Sequence, residues 1–586
     1  MKEITIYLSV IMTFTILSGC KKGFLSTQDL TDKTNANFYK TPDDAQQALA
    51  AIYSSLKQVE NDHGLLEISN IMSDECFGGG GQHDNVAAID QWQESGLNMY
   101  EGSWSGYYQG IFRANNLIKY IDNGQIKDWQ SADQKNQIDG EAHFLRAMDY
   151  FDLMRMFGGP VNGKMMGVPL NLDPDETIQI RASVDSIYAQ IASDLKFCID
   201  NMPSVGYHEL EPGHATKWAA EALMARVFLF YNGQAYGRTY SSGSATMPLA
   251  EGGTITNAQV VNWVDDCISN SGYHVVKPFG NLWPYSYQPQ DKDYLYPYAQ
   301  RNHLEWVGDD GDGGNNPEAV FELIYTSLEQ NRTEGDLSAA RQGNYLPWGF
   351  GNGVGTASPT TFLTNKWFAL GDIRRKATIW DVRDSTEGVQ PDYVWGSFSQ
   401  DLWEETGYWQ KKITPINVAA PPGSGAQNNM WSYIMELHPD APYQFWGDDF
   451  LNLILIRFSD VLLMGAELGS PNALTYLNEV HETSGLPPYG GVTEEAIRQE
   501  RRADLAFEGV RYWDELRYGT MISDLQAESG VTIWNATVKT TYVPNIQRFN
   551  ETKGFLPIPE DQGTLSKGVL EQNDGWTGGD MVYTGN

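Results

Sequence analysis

Cysteine is scarce in this chain of 586 residues: there are four, at positions 20, 76, 198 and 267, with no Cys-x-x-Cys pair and no Cys/His run at zinc-ligand spacing. A structural zinc site is not expected. With Cys20 otherwise engaged, the remaining three close one bridge at most, so the fold does not rest on a disulfide framework. Basic residues are few as well, 40 Lys and Arg against 75 Asp and Glu, and the formal charge of −35 repels phosphate backbones. No nucleic acid partner is expected. After the first 20 residues no apolar run approaches the roughly 20 residues that a spanning helix needs. Catalytic signatures are missing too: there is no HExxH and no GxSxG. Gly158 to Lys164 nearly spells a phosphate loop, but Met165 stands where Ser or Thr would reach magnesium. Asp309-Asp310-Gly311-Asp312 lacks the EF-hand alternation and reads as a solvated acidic turn. Neither a cofactor nor a metal is expected.

What the chain does have is a folded protein's composition, 41% hydrophobic and 20% charged, with 31 Tyr and 18 Trp. So many rings in so polar a chain suggest that some face water or a ligand. At the N-terminus Lys2 precedes a 14-residue apolar run, Ile4 to Leu17, closed by Leu17-Ser18-Gly19-Cys20. That run is short for a membrane span and reads as a signal peptide over residues 1–19. Its end resembles the lipobox of bacterial lipoproteins. The resemblance implies a Cys20 that is diacylated, becomes the mature N-terminus and is acylated again, which anchors the protein almost permanently. Residues 20–40 then form a lipidated tether.

Helical text follows. Thr41-Pro42-Asp43-Asp44 offers an N-cap, proline at N1 and acid in the first turn, ahead of Ala45, Ala48, Ile52 and Leu56 at helical spacing. From Glu141 to Phe157 a polar residue recurs every third position, predicting a helix with two buried flanks that stops at Gly158-Gly159-Pro160. Ser183 caps another helix, and Ala215 to Tyr231 carries small residues that admit a close neighbour. Helices return over Leu453 to Leu468, Pro471 to Thr483 and Glu494 to Tyr518. Between them, from about 232 to 450, Gly, Pro, Asn and aromatics dominate, with short strands such as Ala319 to Tyr325. The fold class expected is mainly α: tetratricopeptide-like helix pairs in an α-α superhelix, with a long loop-rich insertion and a few short β-strands. One discontinuous domain over 41–586 is expected, its helical scaffold at about 41–231 and 450–586 and its ligand-facing insertion at about 232–450.

Five blocks carry a family resemblance: Glu141 to Pro160, Ala215 to Leu229, Ile456 to Met464, Glu500 to Gly509 with Arg511 to Asp514, and Phe555 to Pro559. In this order, after a lipobox, the chain resembles the SusD/RagB family of Bacteroidetes outer-membrane lipoproteins. The resemblance implies four tetratricopeptide-like helix pairs and a loop-rich face that holds a nutrient, usually a glycan. It also implies a SusC-like TonB-dependent outer-membrane transporter as partner, and display on the cell exterior through the anchor on Cys20.

The charges at Arg501, Arg502, Asp504, Glu508, Arg511 and Asp514 read as ion pairs within and between helices. A sugar offers apolar C–H faces and a rim of hydroxyls, so its site needs aromatic planes beside amides and carboxylates. Two regions fit: Asp74 to Trp92, with Asp74, Phe77 and Trp92, and Trp283 to Trp306, with Trp283, Tyr285, Tyr287, Tyr294, Tyr296 and Trp306. About half of such rings are expected to pack on the scaffold instead, and Trp104 is read as structural. The expected function is capture of an oligosaccharide or polysaccharide without catalysis. The alternatives are a lipid-anchored glycoside hydrolase working with two carboxylates, and a binder of peptides.

Overall fold

The computed structural model describes residues 38–60, 64–81, 86–94, 98–286, 296–308, 316–324, 355–361, 368–384, 402–412, 417–418, 431–432, 452–577 and 581–583, apart from positions 208, 211 and 382. Cys20, Tyr287, Tyr294 and the Asp309–Asp312 turn lie outside the described residues.

The first helix, α1 (Pro42–Glu60), starts as its sequence dictates: Thr41 Oγ1 accepts from Asp44 N–H (3.3 Å) and Asp44 Oδ2 accepts from Thr41 N–H (3.1 Å). The short α2 (Leu65–Met72) leads into β1 (Cys76–Gly79). Then come α3 (Glu101–Asp122), α4 (Ala132–Phe157), α5 (Val184–Asn201), α6 (Lys217–Tyr231) and α7 (Asn257–Asn270). From α4 onward each packs beside its predecessor, and α1 closes on α3 and α4. Side-chain caps on Ser131, Ser183, Thr216 and Thr256 satisfy the first free amides of α4 to α7. Because α7 lies between α6 and a later helix, the helical stack continues past residue 231 into the stretch expected to be loop-rich.

The long α4 departs from the two-flank expectation. From Gln137 to Phe157 every residue except His143 is buried, because α1, α3, α5 and α6 all pack against it. Its polar residues therefore pair inside the core: Arg146 places Nε and Nη2 on the two oxygens of Asp194 (2.9 and 2.6 Å) and Arg155 bonds Asp152. Gly110 on α3 lets α4 approach, since a Cβ there would lie 2.2 Å from Asp149 Oδ2. The near-phosphate loop is a tight hairpin whose Asn162 and Gly163 amides donate to the carboxylate of Asp574 (2.9 and 2.8 Å).

The sheets among the described residues are two-stranded antiparallel pairs. β2 (Ala319–Leu323) pairs with β6 (Leu453–Arg457), β3 (Thr356–Pro359) with β1, β4 (Ile379–Asp381) with β5 (Tyr408–Gln410), and β7 (Thr532–Asn535) with β8 (Val538–Thr541). The helix expected from Leu453 is thus a strand for its first five residues and a helix, α8 (Phe458–Leu468), only afterwards. Its run Leu-Ile-Leu-Ile serves either period, and the edge of β2 decided between them. Next come α9 (Ala473–His481), α10 (Glu494–Asp504) and α11 (Arg511–Tyr518). The single helix expected from Glu494 to Tyr518 breaks where Phe507 and Gly509 take φ of +65° and +74°.

Candidate ligand-binding site

The aromatic segment that opens the insertion folds around two consecutive lysines. After β5 the chain alternates direction, so Lys411 and Lys412 leave it on opposite sides. Lys411 Nζ lies 5.5, 5.5 and 4.2 Å from the ring centres of Tyr285, Tyr296 and Tyr298. Lys412 Nζ lies 5.1 and 4.8 Å from those of Phe279 and Trp283, and donates to Asp504 O and Glu508 Oε1, both at 2.7 Å. Both lysines are fully buried. Burial lowers the pKa of Lys412, with Glu508 opposing. Ring faces replace part of the hydration each ammonium has lost, which is why these rings sit inside rather than on a sugar-facing surface.

This corrects several expectations. Trp283, Tyr285 and Tyr296 are buried, as lysine cages. Trp92, at 1% exposure, donates from Nε1 to Tyr512 Oη (3.2 Å), packs edge-on to Phe549 and accepts from Arg548 Nε through its carbonyl (3.2 Å). Phe77 is buried against Tyr542 at 4.3 Å, and Asp74 is buried with Oδ1 on Arg511 Nε (2.8 Å) and Oδ2 on Arg511 Nη2 and Arg502. The glycine-rich turn after Asp74 draws these groups inward. Gly79 at φ +69° brings β1 onto β3 so closely that a Cβ would stand 2.5 Å from Gly355 O. Asp74, Phe77 and Trp92 therefore hold the scaffold together and offer no face to a ligand.

Trp306 differs. It is half-buried, its indole lying over Gly308. With Trp283, Leu453 and Ile454 it walls a slot of about 50 Å³ that Asn316, Asn452, Glu322, Lys412 and Glu508 also reach. The Trp283 Nε1 donor, buried in the same wall, has no acceptor among the described residues. The slot has room for a hydroxyl or a few waters and is too small to take in a sugar ring. Two of the nominated residues, Trp283 and Trp306, meet here. Leu66 of α2, Glu322 of β2, Leu453 and Ile454 of β6, and Asn316, Lys412, Asn452 and Glu508 also line the slot, and sequence reasoning nominated none of them for binding. A Lys-Lys pair normally reads as solvated surface, and nothing local marks this one as buried.

Two other groupings have the look of chemistry. Oxygens of Asp74, Glu515 and Asp524 converge within 4.8 Å, but the Arg511 guanidinium lies within 2.8 to 3.1 Å of all three carboxyls, so the cation is a protein side chain. Asp90 and Glu404 accept from the consecutive amides of Gly78 (3.0 Å) and Gly79 (3.2 Å), and burial pushes both carboxyls upward, but both are buried beyond the reach of a polymer. A wider cleft of about 530 Å³ on the helical stack has the paired Arg146 and Asp194 at its floor and the half-buried Phe197, stacked on His143 at 4.2 Å, at its side.

Comparison with known proteins accounts for this architecture. Residues 25–229 match a SusD-like family profile described as starch-binding and associating with the outer membrane, and residues 317–576 match the SusD family profile. A SusD-like protein of Bacteroides ovatus is 22% identical over 540 residues, spanning 88% of this chain and 83% of the relative. Another, of Formosa agariphila, is 23% identical over 562 residues, spanning 91% and 94%. Among solved structures, surface glycan-binding protein A from Bacteroides thetaiotaomicron superimposes with a TM-score of 0.65 at 20% identity, over 92% of this chain and 99% of that one. The same protein in complex with laminarihexaose gives 0.65 at 21% identity, over 91% and 100%. With two family profiles in sequence order and relatives aligned along nearly its whole length, this chain belongs to the SusD/RagB family.

Proposed function

We propose that this protein is a lipid-anchored glycan-binding protein of the outer-membrane surface, which holds an oligosaccharide or polysaccharide without cutting it and hands it to a SusC-like TonB-dependent transporter. The observation that carries the reading is Trp306, a half-buried indole lining a slot furnished with amides, carboxylates and an ammonium. That is the pairing of flat apolar face and hydrogen-bonding groups that a pyranose requires. Relatives support the ligand class, since the fold neighbours include surface glycan-binding proteins and a laminarin-binding SusD-like protein. Tyr287 and Tyr294, on the segment between Trp283 and Trp306, are proposed as further platforms. Among the described residues no helix is long and apolar enough to cross a membrane, so in this reading the tie to the membrane is the acylated Cys20.

Affinity electrophoresis and calorimetry against laminarin, other neutral glucans and a peptide mixture test the reading. Saturable binding to a glycan is expected, weakened at least tenfold by Trp306→Ala, with no new reducing ends after prolonged incubation. Unchanged affinity in Trp306→Ala removes the slot from the site. Accumulating reducing ends would make the protein a hydrolase, and binding to peptides alone would change the ligand class.

A further inference from the structure

Deep in the helical stack, away from the slot, four arginines surround one small cavity. Arg155 of α4, Arg226 of α6, Arg501 of α10 and Arg517 of α11 line it together with Trp513 and Asp514, and its volume is about 20 Å³. That is room for one or two waters or a single halide ion, and too little for an organic molecule. Carboxylates answer these charges at other nitrogens. Arg155 meets Asp152 through Nη2, Arg226 meets Asp460 through Nη2 (2.6 Å), Arg501 divides itself between Asp460 and Asp514, and Arg517 between Asp514 and Glu467.

Three donors remain over. Arg155 Nε, Arg226 Nε and the Trp513 indole Nε1 are each buried without a hydrogen-bond acceptor among the described residues, and all three belong to residues lining this cavity. The Arg155 guanidinium lies between the rings of Phe151 (4.2 Å) and Trp513 (5.1 Å), which hold it in place and offer no lone pair. A buried donor left unmade costs as much as a lost hydrogen bond, so three in one cavity call for a common acceptor. Water accepts two hydrogen bonds and brings two donors of its own into walls that already have donors to spare. A halide only accepts.

We propose that this cavity is a structural binding site for a monovalent halide, chloride in the natural setting, held by Arg155 Nε, Arg226 Nε and Trp513 Nε1. The ion ties α4, α6 and α11 together at the centre of the stack. Fluoride, whose hydration is too strong to shed, does not replace it, whereas bromide does.

Thermal melts of the full chain in sodium chloride, bromide and fluoride at equal ionic strength test the proposal, with anomalous diffraction at the bromine edge from crystals grown in bromide. Chloride and bromide are expected to raise the midpoint by several degrees in a saturable manner relative to fluoride, and one bromide peak is expected within hydrogen-bond distance of the three nitrogens. Trp513→Phe keeps the ring and removes one donor, and is expected to raise the half-saturating chloride concentration at least tenfold. Coincident melts in all three salts, or bromide-grown crystals with water alone in the cavity, overturn the proposal. The diffraction result needs only the unaltered protein, so it decides the matter even if the variant fails to fold.

Discussion

Around Arg457 buried charges of opposite sign meet in pairs, whereas around Glu404 carboxyl groups meet one another. Arg457 reaches Glu318 (2.7 Å), Glu508 (2.9 Å) and Asp504, and one layer away Arg374 reaches Glu500 (2.8 Å) and Asp372 (2.7 Å). Here Glu500, burial notwithstanding, is held below its ordinary pKa by His481 and Arg374. Near Glu404 stand Asp90, Glu528 and the Tyr542 hydroxyl, and burial raises all of them, reinforced at Asp90 by the charge of Glu404 and at Glu528 by that of Asp90. The contrast teaches that the two halves of the scaffold depend on protons in opposite ways. Glu500 favours the folded state as an ionised carboxylate, whereas Asp90, Glu404 and Glu528 favour it as neutral acids.

The largest expected effect comes from pH. Burial pushes Glu75 to about 8, against a bond from Phe507 N–H, and pushes Glu221 to about 8, against Lys217. Their folded pKa values exceed those of the unfolded chain, so this contribution is complete below about pH 4.5 and is lost as pH rises toward about 8. Asp194 and Asp460 are held below the ordinary range by Arg146 with His143 and by Arg501 with Arg226, burial opposing, so their contribution is present above about pH 4 and is lost on acidification. Stability should therefore peak near pH 5 and fall by on the order of 5 kcal/mol by pH 8, read from urea midpoints across that range. A flat profile from pH 5 to 8 would erase the distinction between the two halves.

Breaking the paired half directly comes next. Arg457→Met strands Glu318, Asp504 and Glu508 in the interior and should cost about 3 to 5 kcal/mol at neutral pH, with much of the loss recovered near pH 5 as the stranded acids take up protons. A loss below 1 kcal/mol would show that these pairs are ornaments of the fold. Lys412→Met keeps an apolar chain within the Phe279 and Trp283 rings and leaves Glu508 on Arg457, so about 1 to 2 kcal/mol is expected, measured the same way. The smallest effect sharpens the other half. Asp90→Asn supplies a permanent donor opposite Glu404 and should stabilise the protein by about 1 kcal/mol at pH 8 while changing little at pH 5. Equal effects at both pH values would mean that Asp90 and Glu404 share no proton.

The helical scaffold could be read along the chain because its signals are local. Thr41 and Ser183 precede helices they do cap, and Gly158-Gly159-Pro160 ends one. The candidate site was harder. Aromatic enrichment singled out the stretch between Trp283 and Trp306, but of the described candidates only Trp306 keeps a partly open face. Trp92 is drawn inward by Tyr512, Phe77 by Tyr542, Tyr285 by Lys411, and Tyr296 by Trp380 and Lys411, partners that lie more than a hundred positions away except Trp380, which is 84 from Tyr296. Leu453 to Arg457 was misread for the same reason, since a run of Ile and Leu is helix or strand according to what lies beside it.

Composition, the order of the family blocks and the caps of the helices were thus determined by the sequence alone, because periodicity and capping act over a few residues. Which rings are buried and which stay partly open, which carboxyls burial pushes upward, and which donors lack a partner among the described residues were decided only by the tertiary structure. Desolvation and pairing depend on distances between segments that lie far apart along the chain, and no spacing within one segment encodes them.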